Sequence, residues 1–144
     1  LYKAEALIEK GQDRETARNL INRVRERAMN SEYVRDFYDN SKYAANYKIG
    51  LYPSSGWTQD YARKALRTEM RLEKALEGER FFDLVRWGIA KDVMTAYFAS
   101  EKDNRIYYDG AVFDDGEEYY PVPVAQYNFS QGHYTQNPGY PSFE

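Results

Sequence analysis

A glycine stands between two helix-forming stretches at the start of this chain, and that arrangement constrains the fold more than any other feature. Residues 1–10, LYKAEALIEK, are dominated by Ala, Leu, Glu and Lys, all good helix formers. Gly11 follows as a helix stop, and Asp13 is placed to cap what comes next. From there Ala17, Leu20, Ile21, Val24 and Ala28 recur at i, i+3, i+4, i+7 and i+11, one apolar stripe on one helix face. Arg23, Arg25, Glu26 and Arg27 lie largely off it. Two helices joined by a short glycine-containing link form an antiparallel hairpin. Ala4, Ala6, Ala17 and Ala28 let the two approach closely. A single hairpin cannot cover its own stripe, so further helices are required.

The hairpin resembles one tetratricopeptide-type unit, and the second half of the chain supplies more helix. Thr58 is a cap for a long helix from about Gln59. Ala62, Ala65, Leu66, Met70, Leu72 and Leu76 give it a broad apolar surface. Glu69, Glu73 and Glu77 run at i, i+4 and i+8, a line that repels itself unless cations answer it. Arg71, Lys74 and Arg80 are the nearby candidates. Phe81, Phe82, Leu84, Val85 and Trp87 then form an aromatic knot ended by Gly88, and Ile89–Ala99 continues as an amphipathic helix. Asp109-Gly110, between residues 105–108 and 111–113, is a β-hairpin signal. The expected fold is therefore all-α: a tetratricopeptide-like helical hairpin scaffold with long irregular loops and one short β-hairpin. Its parts are a helical hairpin (1–29), an aromatic loop insertion (30–58), long bent helices (59–99) and a hairpin/loop tail (100–144). The chain opens at Leu1 inside a helix pattern, so it is expected to be part of a longer polypeptide whose upstream segments carry any targeting signal.

Composition narrows the function. The net charge of −3 leaves no basic excess to follow a phosphate backbone, which argues against a nucleic-acid binder. The absence of Cys removes disulfides, thiolate metal sites and cysteine nucleophiles. A lone histidine, His133, reads as a plain loop residue and leaves little for a His-based triad. No apolar run reaches the ~18 residues of a membrane span. No cofactor or metal is expected. The outlier is aromatic content, 17% of the chain with 15 Tyr. Tyrosine can fill a core while keeping its hydroxyl wet, or line a face that receives sugars, peptides or another protein.

Each candidate site has a plain structural alternative. Glu69, Glu73 and Glu77 have the carboxylate spacing of a glycosidase pair, yet i, i+4 neighbours have it trivially, and a charged face paired with Arg71 and Arg80 is the better reading. Asp83 and Arg86, at i+3, read as a structural ion pair. Trp87, among Phe81, Phe82 and Leu84, reads as core. Trp57 follows the loop PSSG and neighbours Tyr52 and Gln59. Its indole could stack on the C–H face of a sugar, with Asn46, Gln59 and Asp60 meeting the hydroxyls and Tyr47 nearby in sequence; alternatively it staples the helix start. The acidic residues Asp103, Asp109, Asp114, Asp115, Glu117 and Glu118 could attract calcium, but their spacing is not that of an EF-hand and a solvated loop is preferred.

Three phrases then point to a family. AEALIEKGQDRETARNLINRVRERA (4–28) looks like a helix pair ending in IN-x-VR-x-RA. EMRLEKALEGERFFDLVRWG (69–88) is similar to E-R-x-x-E-L-A-F-E-G-x-R-x-x-D-L-x-R-W-G, with Met70 in place of Arg and Lys74 in place of Leu. YPVPVAQYNFSQGHYTQNPGY (120–140) looks like P-I-P-x-x-E-I followed by QNPGY, with Tyr127 near the usual Ile. In order and spacing the three resemble the C-terminal portion of the SusD/RagB family; residues 30–57 and 99–118 match no motif. The resemblance assigns Glu73, Glu77, Arg80, Asp83, Arg86 and Trp87 to the structural motif. It implies a non-enzymatic, lipid-anchored protein on the extracellular face of a Bacteroidetes outer membrane, its anchor lying upstream of this chain. Such a protein binds oligosaccharides, or in some branches peptides, and acts as the lid of a SusC-type TonB-dependent transporter. A tetratricopeptide-type adaptor binding a protein partner is the rival from another class.

Overall fold

The computed structural model describes residues 1–143. The fold is all-α. Its helices are α1 (Tyr2–Glu9), α2 (Arg14–Met29), α3 (Gln59–Glu73), α4 (Arg80–Arg86), α5 (Ala90–Glu101) and α6 (Val124–Phe129), with one 3₁₀ turn at Ile106–Tyr108. The chain divides into two compact units, Leu1–Ala75 and the part from Leu76 onward.

The first unit is a three-helix layer. α1 closes where Gly11, at φ +66°, lets its N–H reach the Ile8 carbonyl and the Gln12 N–H reach that of Leu7, the paired bonds of a Schellman ending. Asp13 caps α2 by accepting from the Thr16 N–H at 3.2 Å, and Thr58 caps α3 by accepting from that of Tyr61 at 3.2 Å. α3 packs on both helices of the hairpin, supplying the neighbour that the unsatisfied stripe demanded. The core is Ala4 and Ile8 from α1, Ala17 and Ile21 from α2, and Ala62, Ala65, Leu66 and Met70 from α3. Small residues on all three helices bring the backbones close, and Ile8, Ile21, Leu66 and Met70 fill the space between them. Each such large side chain contributes about 1.5–3 kcal/mol by burial.

α3 is shorter than the sequence pattern suggests. It ends at Glu73, with Lys74 as its cap, and Leu76 and Gly78 both take positive φ, 68° and 76°. The expected carboxylate line breaks there, because Glu77 falls outside α3. The cations that answer the two remaining carboxylates come from α2: Arg25 pairs with Glu69 at 2.8 Å, and Arg27 pairs with Glu73. The expectation that Arg71 would balance this face is corrected accordingly. α2 runs alongside α3, so its arginines meet the glutamates across the helix interface.

The second unit has a smaller core, Leu84, Ala90 and Phe113, with Phe81, Val85, Trp87, Ile89, Val93, Met94 and Phe98 packed partly buried around it. α4 closes as α1 does, with the Gly88 N–H on Val85 and that of Ile89 on Leu84. The β-hairpin expected around Asp109-Gly110 is not formed. Ile106–Tyr108 turns as 3₁₀ helix instead, and the Tyr108 ring stacks on Phe98 at 5.0 Å between centroids. Arms of three or four residues gain little from pairing, whereas an aromatic ring gains from covering α5. Among the described residues the one isolated antiparallel bridge joins Arg35 and Tyr43, in the aromatic insertion.

Beyond α5 the second unit is held by backbone contact and side-chain bonds. Gly116 and Gly139 lie against each other's segments so closely that a Cβ on Gly116 would sit 1.9 Å from the Pro138 carbonyl oxygen, and one on Gly139 would sit 2.1 Å from that of Asp115. No residue but glycine fits either place.

Candidate ligand-binding face

The aromatic insertion is anchored by α2. Asn22, buried although polar, accepts from the Tyr52 N–H at 2.8 Å and donates to the Tyr52 carbonyl at 3.0 Å. Its carboxamide thus satisfies both backbone groups of one residue, as a neighbouring strand would. Arg18 donates to the same carbonyl at 2.7 Å. Arg25 bonds the Gly50 carbonyl, pairs with Glu69, and places its guanidinium 4.7 Å from the centre of the Tyr52 ring. Burial pushes the Tyr52 phenol above its ordinary value; the Arg25 charge opposes that shift, while Glu69 and Tyr61 add to it. One arginine therefore ties α2, α3 and the insertion together.

Tyr52 and Trp57, both predicted from sequence, are brought together and joined by Tyr61. Ring centroids are 5.5 Å apart for Tyr52–Trp57, 6.0 Å for Tyr52–Tyr61 and 5.6 Å for Trp57–Tyr61. Trp57 is buried, and its indole N–H donates to the Arg14 carbonyl at 3.0 Å. Gln59 donates to the Ile8 carbonyl at 2.6 Å, at the C-terminal end of α1. These two side chains fix the approach to α3. Tyr61 presents the more open ring of the triad.

Tyr47 belongs to a second cluster. It stacks on Tyr33 at 4.7 Å with planes 30° apart, and Tyr43 stands edge-on to both at 5.7 and 6.3 Å. The Arg35 guanidinium lies 4.4 Å from the centre of the Tyr43 ring. Tyr43 is exposed, and so is Asn46, which precedes Tyr47 in the chain. This is a partly open cluster of three tyrosine rings with a cation against one of them.

The remaining predicted residues occupy the second unit or the turn leading into it. Asp83 is buried and accepts from Arg86 at 2.9 Å, the ion pair read from sequence. Arg80 and Arg86 both stand near the Trp87 ring, at 5.8 and 5.5 Å. Trp87 itself is half-buried against the Leu84 cluster. In the acidic loop, Lys91 reaches Asp115 at 3.1 Å; that hydrogen bond raises the lysine pKa. Glu117 accepts from the Asp114 N–H, and Glu118 from that of Gly116. Among the described residues no three acidic or histidine side chains converge to hold a metal ion, and no helix is long and apolar enough to cross a membrane. Sequence reading missed Asn22, Arg18 and Arg25, the residues that position the insertion. The only available signal was a buried-face Asn inside the INRVRERA phrase.

A helical hairpin covered by a third helix, with an aromatic insertion moored to it and ion pairs across the helix interface, makes an all-α scaffold. The sequence profile of the SusD family matches residues 1–140, and the chain belongs to that family. No curated protein matches it in sequence. The family is one of nutrient-binding, generally non-enzymatic proteins associated with the outer membrane at the cell surface.

Proposed function

We propose that this chain belongs to a surface lipoprotein that binds oligosaccharides and passes them to a SusC-type TonB-dependent transporter, closing over it as a lid. The observation that carries the reading is family membership over nearly the whole chain, combined with an open tyrosine cluster on the insertion. Tyr47, with Tyr33 and Tyr43, offers flat apolar faces for the C–H side of a sugar, and Asn46 offers an amide to its hydroxyls. Tyr52, Trp57 and Gln59 hold the insertion and the start of α3 on the hairpin. Preorganised rings lose little entropy on binding, which favours capture of a flexible polymer fragment.

Calorimetry of the intact protein against neutral oligosaccharides and against oligopeptides tests the reading. Saturable glycan binding, weakened in Tyr47→Ala, is expected. Binding of peptides alone would transfer the function to the peptide-binding branch. Capture of neither, together with tight association with a soluble protein, would replace it with the adaptor reading. Copurification with a β-barrel transporter tests the lid role separately.

A further inference from the structure

The tail of the second unit shapes an open cleft of about 540 Å³ between the Tyr120–Pro123 segment, Gln126 and the His133–Thr135 segment. One wall has much of its backbone committed. Pro121 and Pro123 have no N–H to offer. The Val122 N–H donates to the Gln136 carboxamide at 2.7 Å, and the Val122 carbonyl accepts from the same carboxamide at 3.2 Å. The Tyr120 carbonyl accepts from Asn137 at 2.6 Å. An extended peptide, which binds by pairing with a free strand edge, finds no donor at Pro121, Val122 or Pro123 and no free acceptor at Tyr120 or Val122. Nor does an anion or a cation find a counter-charge, because no Lys, Arg, Asp or Glu lines the cavity.

What the cavity does offer is two phenol rings, Tyr120 and Tyr134, both largely exposed, and three neutral polar side chains, Gln126, His133 and Thr135. None of these side chains is committed to a partner among the described residues. Flat apolar faces combined with uncharged groups that both donate and accept match a ring bearing hydroxyls on its edge and C–H bonds on its face. The volume lies within the range of small-molecule sites. We infer that this cavity is a second glycan-binding cleft, taking one or two neutral sugar rings between Tyr120 and Tyr134, separate from the aromatic insertion. The inference rests on the nutrient-binding reading only for glycans being available ligands; the preference for neutral sugars comes from the cavity itself.

His133 is the one histidine of this chain, which makes it a reporter placed in the cleft. The test titrates maltooligosaccharides and other neutral oligosaccharides into the intact protein while following the His133 ring resonance, assigned by its loss in His133→Asn. Saturable movement of that resonance is expected, with Tyr120→Ala and Tyr134→Ala each weakening the associated binding about tenfold. Both positions are exposed, so unchanged circular dichroism should accompany the loss. Glycan binding that leaves the resonance still and survives both substitutions would overturn the cleft while sparing the nutrient-binding reading. Absence of any glycan binding would overturn both. A proline-rich peptide or an anionic oligosaccharide moving the resonance at lower concentration than a neutral sugar would also sink the assignment.

Discussion

The two units solve the same problem by different means. In the first, three helices share a close-packed core, and the loop that carries the aromatic face is moored to that core. In the second, short helices surround a core of few buried residues, and a long tail is kept in place by turns, amide bonds and backbone contact. Yet both use one device. Asn22 binds both backbone groups of Tyr52, and Gln136 binds both backbone groups of Val122. A carboxamide stands in for a β-strand wherever an isolated extended residue must be held without a sheet. The difference lies in what stands behind the amide: a buried helix in one case, an exposed loop in the other.

Substitutions can break or sharpen this contrast. The largest effect is expected at Arg25. Removing it in Arg25→Ala leaves Glu69 buried without its cation and releases Gly50 and Tyr52, costing about 3–5 kcal/mol; urea unfolding measures it, and Arg25→Met with Glu69→Leu should recover most of the loss. Next comes the core. Leu66→Ala should cost about 3 kcal/mol, whereas Leu84→Ala should cost less because its neighbours are only partly buried and can relax. Equal costs would argue that the second unit is as tightly packed as the first. The amide devices follow. Asn22→Ala and Gln136→Ala should each cost about 1–2 kcal/mol, and hydrogen exchange at the Tyr52 and Val122 amides should accelerate in the matching variant only.

The smallest effect concerns pH. The hydrogen bond from Arg63 holds the Glu9 carboxyl below its ordinary value of 4.5, against a desolvation effect in the other direction. A carboxylate whose pKa is lower in the folded state adds stability above that ordinary value, and the increment disappears as pH falls through the lowered one. Glu9 is exposed, so solvent screening holds the increment to about 0.5 kcal/mol or less, and it should shrink in salt. Glu9→Gln should remove it from the acid limb of a stability–pH curve while leaving the alkaline limb unchanged.

The sequence was most legible where order is local and periodic. The α2 stripe, the Gly11 stop and the Asp13 and Thr58 caps mark the first unit's helices nearly to the residue, because each signal acts within one or two turns. Reading failed where long-range contacts decide. Nothing local says that Leu76 takes a left-handed conformation and ends α3 early. The Asp109-Gly110 pair is a real turn signal, and Gly110 does take positive φ, but tyrosine packing on α5 wins over strand pairing. The partners of Glu69 and Glu73 lie more than forty residues away, beyond any helix-spacing rule. Tyr52 and Trp57 were legible as neighbours. The insertion's mooring to Asn22 and Arg25 was not, since it exists only once the hairpin has folded.

The contact between Gly116 and Gly139 has one more consequence. Where two stretches of main chain touch with no side chain between them, the intervening residues become a closed lasso without a covalent tie. The Pro-Val-Pro wall, α6 and His133 all hang within it. Adding a single methyl group at either glycine would slip the noose, loosening the tail without touching any residue that could contact a guest. Gly139→Ala is therefore a handle for untying that end of the molecule while leaving the helices of the first unit intact.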